Sequence, residues 1–328
     1  MFTLLKSGIF FKKIKKYALP ALLVFIALML AAFPEKYSQT TFRGLKIWAV
    51  NVLPSLLPFF FLTALLTSTG CLFTLAGYMS PLTRFLYGAD GVAAYAQIMS
   101  FLSGYPVGLK IAADLYGAGA IGSRQATKMS AFCSTSGPLF IVGSVGTAMF
   151  GDKITGYILL FSHLLSSVLC GILFRFLSSD ERAAAPIVNE SAKNNVLYES
   201  VYSSVISVAV VGAFIALFYT FASILSDIGI FKPVISLLSP LIGENNAHGV
   251  ALATIECTFA CKMFALSPSA LSTALACGAI SLGGLSVWCQ SAIYLNKTRA
   301  KFSVFALSKL VHTALSIIIC YCLCLIFK

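Results

Sequence analysis

The sequence predicts an all-α, polytopic membrane protein built from two inverted repeats with broken or re-entrant helices. Three observations carry this. First, 59% of the 328 residues are hydrophobic and 10% are charged, against about 25% charged in soluble domains, too few to cover a water-exposed surface. Second, apolar runs near the spanning length recur, at 17–33, 154–177 and 307–327, each able to cross a hydrocarbon core roughly 30 Å thick. The runs do not alternate as barrel strands would, and in lipid a helix pairs its own backbone groups. Third, several other apolar segments are short and interrupted by Gly, Pro and Ser.

The order of segments follows from these runs. A first span covers 17–33 and a polar stretch covers 34–46. An apolar segment with Pro54 and Pro58 covers 47–68. Shorter pieces lead to SGYPVG at 103–108, resume to about Tyr116, and break again at STSGP, 134–138. A full span at 154–177 closes the first half. The polar stretch 178–195 reads as a solvent-exposed linker and carries a chance-level sequon at Asn189. The division is then 1–43 (basic flank and first span), 44–178 (first repeat), 179–195 (linker) and 196–328 (second repeat), with eight to ten membrane helical elements.

The second half echoes the first. Ser80-Pro81-Leu82 resembles Ser239-Pro240-Leu241, and Gly91-Val92-Ala93 recurs as Gly249-Val250-Ala251, with Phe101 opposite Phe259. Ser136-Gly137-Pro138-Leu139 resembles Leu282-Gly283-Gly284-Leu285. Each match is weak, but three in order favour an internal duplication, and interrupted segments at corresponding places point to a transporter-type fold.

The formal charge of +12 does not indicate a nucleic-acid partner. Lys6, Lys12, Lys13, Lys15 and Lys16 crowd the N-terminus without an acidic residue, which marks a cytoplasmic flank of a multi-pass protein of the cell membrane. The same cluster suits a signal peptide ending near Leu30-Ala31-Ala32. An uncleaved span is preferred, because the rest of the chain is itself membrane-embedded. The ten cysteines are scattered, and His163, His248 and His312 are far apart, so no metal site is expected. GxGxxG at Gly117, Gly119 and Gly122 lacks the strand and acidic partner of a dinucleotide site and reads as a loop. No P-loop, HExxH or GxSxG occurs, so neither an enzyme nor a cofactor is expected. The bilayer and a small polar solute are the expected partners, and a homo-oligomer is left open.

Breaks inside membrane helices free backbone groups at a cost of several kcal/mol each, tolerated where protein or a wet cavity covers them. Ser103, Gly104, Tyr105, Pro106 and Gly108 form one break, and Ser134, Thr135, Ser136, Gly137 and Pro138 a second, rich in hydroxyls. Gly283 and Gly284 are the second-half counterpart. The competing reading is an ordinary kink or a GxxxG-type helix contact. Intramembrane charge tends to mark function. Lys110 and Asp114 are one helical turn apart and suited to pairing. Glu256 lies in an apolar stretch with Lys262 nearby, and Gln290 follows the glycine break. The lysines alternatively snorkel to an interface, which leaves Glu256 the better candidate. Ser134, Thr135, Ser136, Glu256 and Gln290 are expected to line one solute pocket, with a proton or sodium ion as a coupling partner of Glu256.

SGYPVGLKIAADL at 103–115 and STSGPLFIVGSVG at 134–146 resemble the two signature stretches of the YlbJ-type sporulation integral membrane proteins, within the wider Gate or nucleoside-recognition membrane family. NVLPSLLPFF at 51–60 and LGGLSVWCQ at 282–290 are similar to it as well. The likeness runs from about Leu45 to the C-terminus and is more specific in the first half. The chain departs from the family in being shorter, with a brief central linker. The resemblance implies a fold similar to concentrative nucleoside transporters, a nucleoside-like solute and a role in spore formation. A secondary transporter or permease is the leading reading. A non-transporting assembly protein for spore or envelope maturation is the alternative. A reporter active only in the cytoplasm, fused to the N-terminus, is expected to be active; activity of an external reporter instead would overturn the orientation.

Overall fold

The computed structural model describes residues 20–68, 71–177 and 195–327. The N-terminal lysine cluster, the sequon and nearly all of the polar linker lie outside them. Four helices in the described residues are long and apolar enough to cross a membrane: Lys153–Leu173, Val196–Asp227, Ala270–Thr298 and Phe302–Phe327. A bent pair, Pro20–Ala32 with Pro34–Val50, makes a fifth.

The first span differs from a straight crossing. Helix α1 (Pro20–Ala32) turns by 107° into the next helix. At 1.5 Å per residue its described part reaches only about 20 Å. The polar stretch that follows is helical too. Helix α2 (Pro34–Ile47) starts on Pro34, carries Glu35 in its first turn and Lys46 in its last, each where the helix dipole favours it. It continues through a π-helical turn, π1 (Trp48–Val52), into α3 (Leu53–Ser68). The Leu53 N–H reaches back to Trp48 O, five residues away. Pro54 has no N–H to continue the ordinary ladder, and the wider turn absorbs that loss. The boundary expected at 43/44 therefore falls inside a continuous helix.

Helix α9 (Val196–Asp227) runs antiparallel to this first long helix. Lys36 and Tyr37 meet Asp227 at 2.8 and 3.0 Å. Thr41 meets Thr220 at 2.8 Å, and Trp48 Nε1 donates to Val208 O at 3.1 Å. The buried stripe of α9 includes Ser200, Ser204, Gly212, Ala216 and Thr220, while Leu197, Val201, Val205 and Leu217 face outward. Small residues inward and aliphatic residues outward is the pattern of helices packed in lipid.

The remaining elements come in the same order in each half. After α3 come α4 (Cys71–Tyr87, with Pro81), α5 (Gly91–Ser103), α6 (Val107–Gly117), α7 (Ser123–Ser130), a π-helical segment π2 (Leu139–Met149) and α8 (Lys153–Leu173). After α9 come α10 (Lys232–Ile242, with Pro240), α11 (Glu244–Ala253), α12 (Cys257–Phe264), α13 (Ala270–Leu282), α14 (Gly284–Thr298) and α15 (Phe302–Phe327). Both sequences read as a proline-bearing helix, two helix–break–helix units and a long closing helix. The closing helices lie side by side and antiparallel: His312 Nε2 donates to His163 O at 3.0 Å, and Cys170 Sγ to Ser308 O at 3.4 Å. On α15 the buried residues Ser308, His312, Ser316, Cys320 and Cys324 recur every fourth position. Among the described residues the two largest apolar clusters of the core lie one within the first half plus Val208, Val211 and Ile215 of α9, the other between π2, α8 and the second-half helices.

The α2–α9 contact depends on Gly44. A Cβ added there would lie 2.9 Å from Ala216 Cα. Gly44→Ala is expected to push the two helices apart and cost about 1–3 kcal/mol, as overpacking does. Gly77→Ala, where nothing lies within 4 Å, is expected to be neutral or slightly stabilising, and thermal unfolding in detergent compares the two.

Candidate functional site

The first-half breaks expected from the sequence cross each other. Helix α5 ends at Gly104, whose φ of +90° suits glycine alone. A Cβ on Gly104 would sit 2.8 Å from the Gly137 nitrogen, so backbone meets backbone at this crossing. The peptide Tyr105–Pro106 is cis, and Pro106 precedes the first turn of α6. Beyond α7 the chain leaves helical form from Ser134 to Gly137, and several of the freed groups find partners. The Thr135 N–H donates to Ser100 Oγ at 3.1 Å, and the two hydroxyls meet at 2.8 Å. The Ser136 N–H donates to His163 Nε2 at 2.8 Å. Gly137 O accepts from Ile141 N at 3.1 Å, around Pro138, which leads into π2.

The second half crosses in the same way. The apolar stretch around Glu256 is broken rather than continuous: α11 ends at Ala253 and α12 begins at Cys257. The Leu285 and Ser286 N–H groups, in the first turn of α14, donate to Thr254 O and Ile255 O at 2.9 and 3.1 Å. Gly283 and Gly284 take positive φ values of 76° and 65°, which lets α13 pass into α14. Glu256 is the N-cap of α12, and its Oε2 accepts from the Phe259 N–H at 2.8 Å, where the helix dipole favours a carboxylate.

Three buried side chains missed in the sequence join the two crossings. His163 on α8 accepts from Ser136 N–H through Nε2, so its proton sits on Nδ1 and is donated to Ser281 Oγ at 2.8 Å. His312 on α15 lies beside it, ring centroids 4.8 Å apart and tilted by 34°. Lys309, 2% exposed, donates to Ser134 O and, at 3.3 Å, to Ser281 O. The two histidines are 149 positions apart, so no local spacing pairs them. The four-residue recurrence of polar residues along α15, with a lysine inside it, was the available signal.

A cavity lies where the breaks meet. Ser103, Gly104, Tyr105, Ser136, Gly137, Glu256 and Gln290 line it, together with Cys257, Thr258 and Ser286 and an apolar wall that includes Val52, Leu56, Phe140, Val211 and Ile215. Among the described residues, Ser103 Oγ and Gln290 Oε1 are buried without a hydrogen-bond partner. Glu256 is 2% exposed and forms none of the ion pairs among the described residues. The other residues expected at the site stand off the lining. Ser134 gives its carbonyl oxygen to Lys309, Thr135 turns its N–H and hydroxyl to Ser100, and Pro106, Pro138, Gly283 and Gly284 shape the backbone behind it. Lys110 pairs with Asp114 at 3.0 Å along α6, away from Glu256. Lys262 does not reach Glu256 either; it faces a separate groove with Arg43 and Lys46, because residues 256 and 262 project from different sides of α12.

Residues 49–153 match the family model described as Gate, nucleoside recognition, a stretch that holds both first-half breaks. The chain is 26% identical over 329 aligned positions to the sporulation integral membrane protein YlbJ of Bacillus subtilis (strain 168), covering 92% of this chain and 80% of the relative. Among solved structures it is similar to CNTnw variants. One, outward-facing, has a TM-score of 0.44 at 13% identity, covering 92% of this chain and 84% of the other. One in an intermediate state has a TM-score of 0.45 at 14% identity, covering 96% and 86%.

The hydrogen bonds of His163 generate a stability prediction. His163→Phe keeps a buried ring but strands the Ser136 N–H and the Ser281 hydroxyl. The expected cost is about 2–6 kcal/mol, from about 1–3 kcal/mol for each of the two buried unpaired groups. Ser281→Ala, which removes one partner of that bond, is expected to cost less, and denaturant unfolding in detergent orders the two.

Proposed function

We propose that this chain is a membrane transporter-like protein that binds a small, polar, nucleoside-like solute in the cavity between its four helix breaks. One observation carries the reading. A buried carboxylate, Glu256, and two unpartnered acceptor-bearing groups, Gln290 Oε1 and Ser103 Oγ, converge on a cavity whose opposite wall is apolar. A solute with hydroxyl or amino donors satisfies the first face, and a flat ring suits the second, beside Tyr105. Exposed half-helix ends replace part of such a solute's water shell. The Gate description, nucleoside recognition, supports the solute class.

The transport cycle is read as alternating exposure of two inverted repeats, 44–178 and 196–328, around the cavity, with 179–195 as the linker. Two observations support inversion: the opening helices of the two halves run antiparallel, and so do the closing helices α8 and α15. Glu256 is the group through which a proton or a sodium ion couples to solute, the N-terminus lies on the cytoplasmic side, and the setting is the cell membrane. A role in spore formation is supported by the description of the Bacillus relative. The same description favours the second reading, a membrane assembly protein without transport, in which changes on an exposed helix face matter and changes at the cavity do not.

Purified protein screened by thermal shift against nucleosides, nucleobases, amino acids and dicarboxylates is expected to respond to nucleosides. Stabilisation reaches about 2.7 kcal/mol at a hundredfold excess over Kd. Glu256→Gln is expected to weaken binding by about tenfold or more, equivalent to about 1.4 kcal/mol, and to flatten its dependence on pH and sodium. A folded variant with unchanged affinity and unchanged dependence on both would overturn the role of Glu256. No response to any solute class would favour the assembly reading.

A further inference from the structure

We propose that Lys309 is a resident cation: its ammonium fills a monovalent-cation site formed by Ser134 O and Ser281 O and ties the two halves together without a free metal ion. The inference goes beyond the solute-binding reading and stands on different residues. Lysine is costly at membrane depth, and it persists there where it meets backbone carbonyls or opposite charge. Lys309 is 2% exposed and forms none of the ion pairs among the described residues. Its hydrogen bonds go to two carbonyl oxygens, Ser134 O in the first-half break and Ser281 O in the last turn of α13.

One of the two carbonyls belongs to the negative end of a helix, and the other lies in a broken segment. Ser281 lies one residue before the end of α13, where the dipole favours a cation. Ser134 lies in the non-helical stretch that follows α7. Two carbonyls from different broken helices are a ligand set that such folds offer to a monovalent ion. The aromatic faces of Tyr105 and Phe305 complete the surround, 5.7 and 5.8 Å from Nζ, within reach of a cation–π attraction. The other ionisable neighbours are the imidazoles of His163 and His312 and the thiols of Cys170 and Cys257. His163 already gives its proton to Ser281 Oγ and His312 donates to His163 O, so neither is an anion for the lysine. The site is one ring away from the solute cavity: Tyr105 lines it, and its hydroxyl meets Cys257 Sγ at 3.4 Å.

The test compares full-length Lys309→Ala, Lys309→Met and wild type. The alanine variant leaves the carbonyls facing a space into which a small cation fits. Its melting temperature is expected to fall below that of wild type and to rise by several degrees in ethylammonium or sodium chloride relative to N-methylglucamine chloride, with a smaller response from wild type. A response no larger than wild type's would overturn the proposal. So would a Lys309→Met variant that melts at or above wild type, since methionine keeps the length and removes the charge. If the variants do not fold, nitrogen NMR of wild type labelled at lysine Nζ decides. A slowly exchanging three-proton ammonium signal is expected from the buried site, and a two-proton amine signal, or none protected from exchange, overturns it.

Discussion

Backbone groups freed inside a membrane have no water to turn to, and that constraint organises this molecule. Each break in a helix strands N–H and C=O groups at several kcal/mol apiece. In the first half the stranded groups go to Ser100, His163 and Lys309. In the second half the N–H groups of one break go straight to the carbonyls of the other, Leu285 and Ser286 to Thr254 and Ile255. Breaks that satisfy each other must lie together, so the accounting of hydrogen bonds is also what brings four interruptions to one place.

The close approach has a steric condition as well. Gly104 faces Gly137 at a distance that leaves no room for a side chain, and Gly284 stands equally close to Ala253 and Ile255. Glycine supplies both the positive φ and the missing Cβ at these points. Around them the helices are built inside out relative to a soluble protein. The closing helix α15 turns Ser308, Lys309, His312 and Ser316 inward and leaves Leu307, Leu310 and Ile318 outside. Lipid accepts the aliphatic face at no cost, and the polar face is free to carry the hub that joins the halves.

The cavity and the hub divide the chemistry between them. The cavity holds acceptors, the carboxylate of Glu256 and the amide oxygen of Gln290, and Glu256 is already fixed by capping α12. The hub holds the cation, Lys309, on the other side of Tyr105. Lys309 and Glu256 thereby stand apart, and neither forms an ion pair among the described residues.

The sequence by itself determined the membrane class, because an excess of apolar residues and long uninterrupted runs have one physical outlet, helices in lipid. It also determined three of the four helix breaks, since Gly104, Pro106, Gly137, Pro138, Gly283 and Gly284 act through local backbone geometry that needs no partner to be legible. It misplaced Glu256 within a continuous stretch, because the break at Thr254 and Ile255 carries no Gly or Pro and is stabilised by hydrogen bonds from Leu285 and Ser286 of α14, 31 residues on. It offered Lys262 and Lys110 as partners for that carboxylate by proximity along the chain, whereas helix faces send Lys262 to one groove and Lys110 to Asp114. The hub of His163, Ser281, Lys309 and His312 was decided by tertiary structure alone. Its members are dictated by which stranded carbonyl or N–H needs a partner, and that is settled only when helices distant in sequence pack antiparallel.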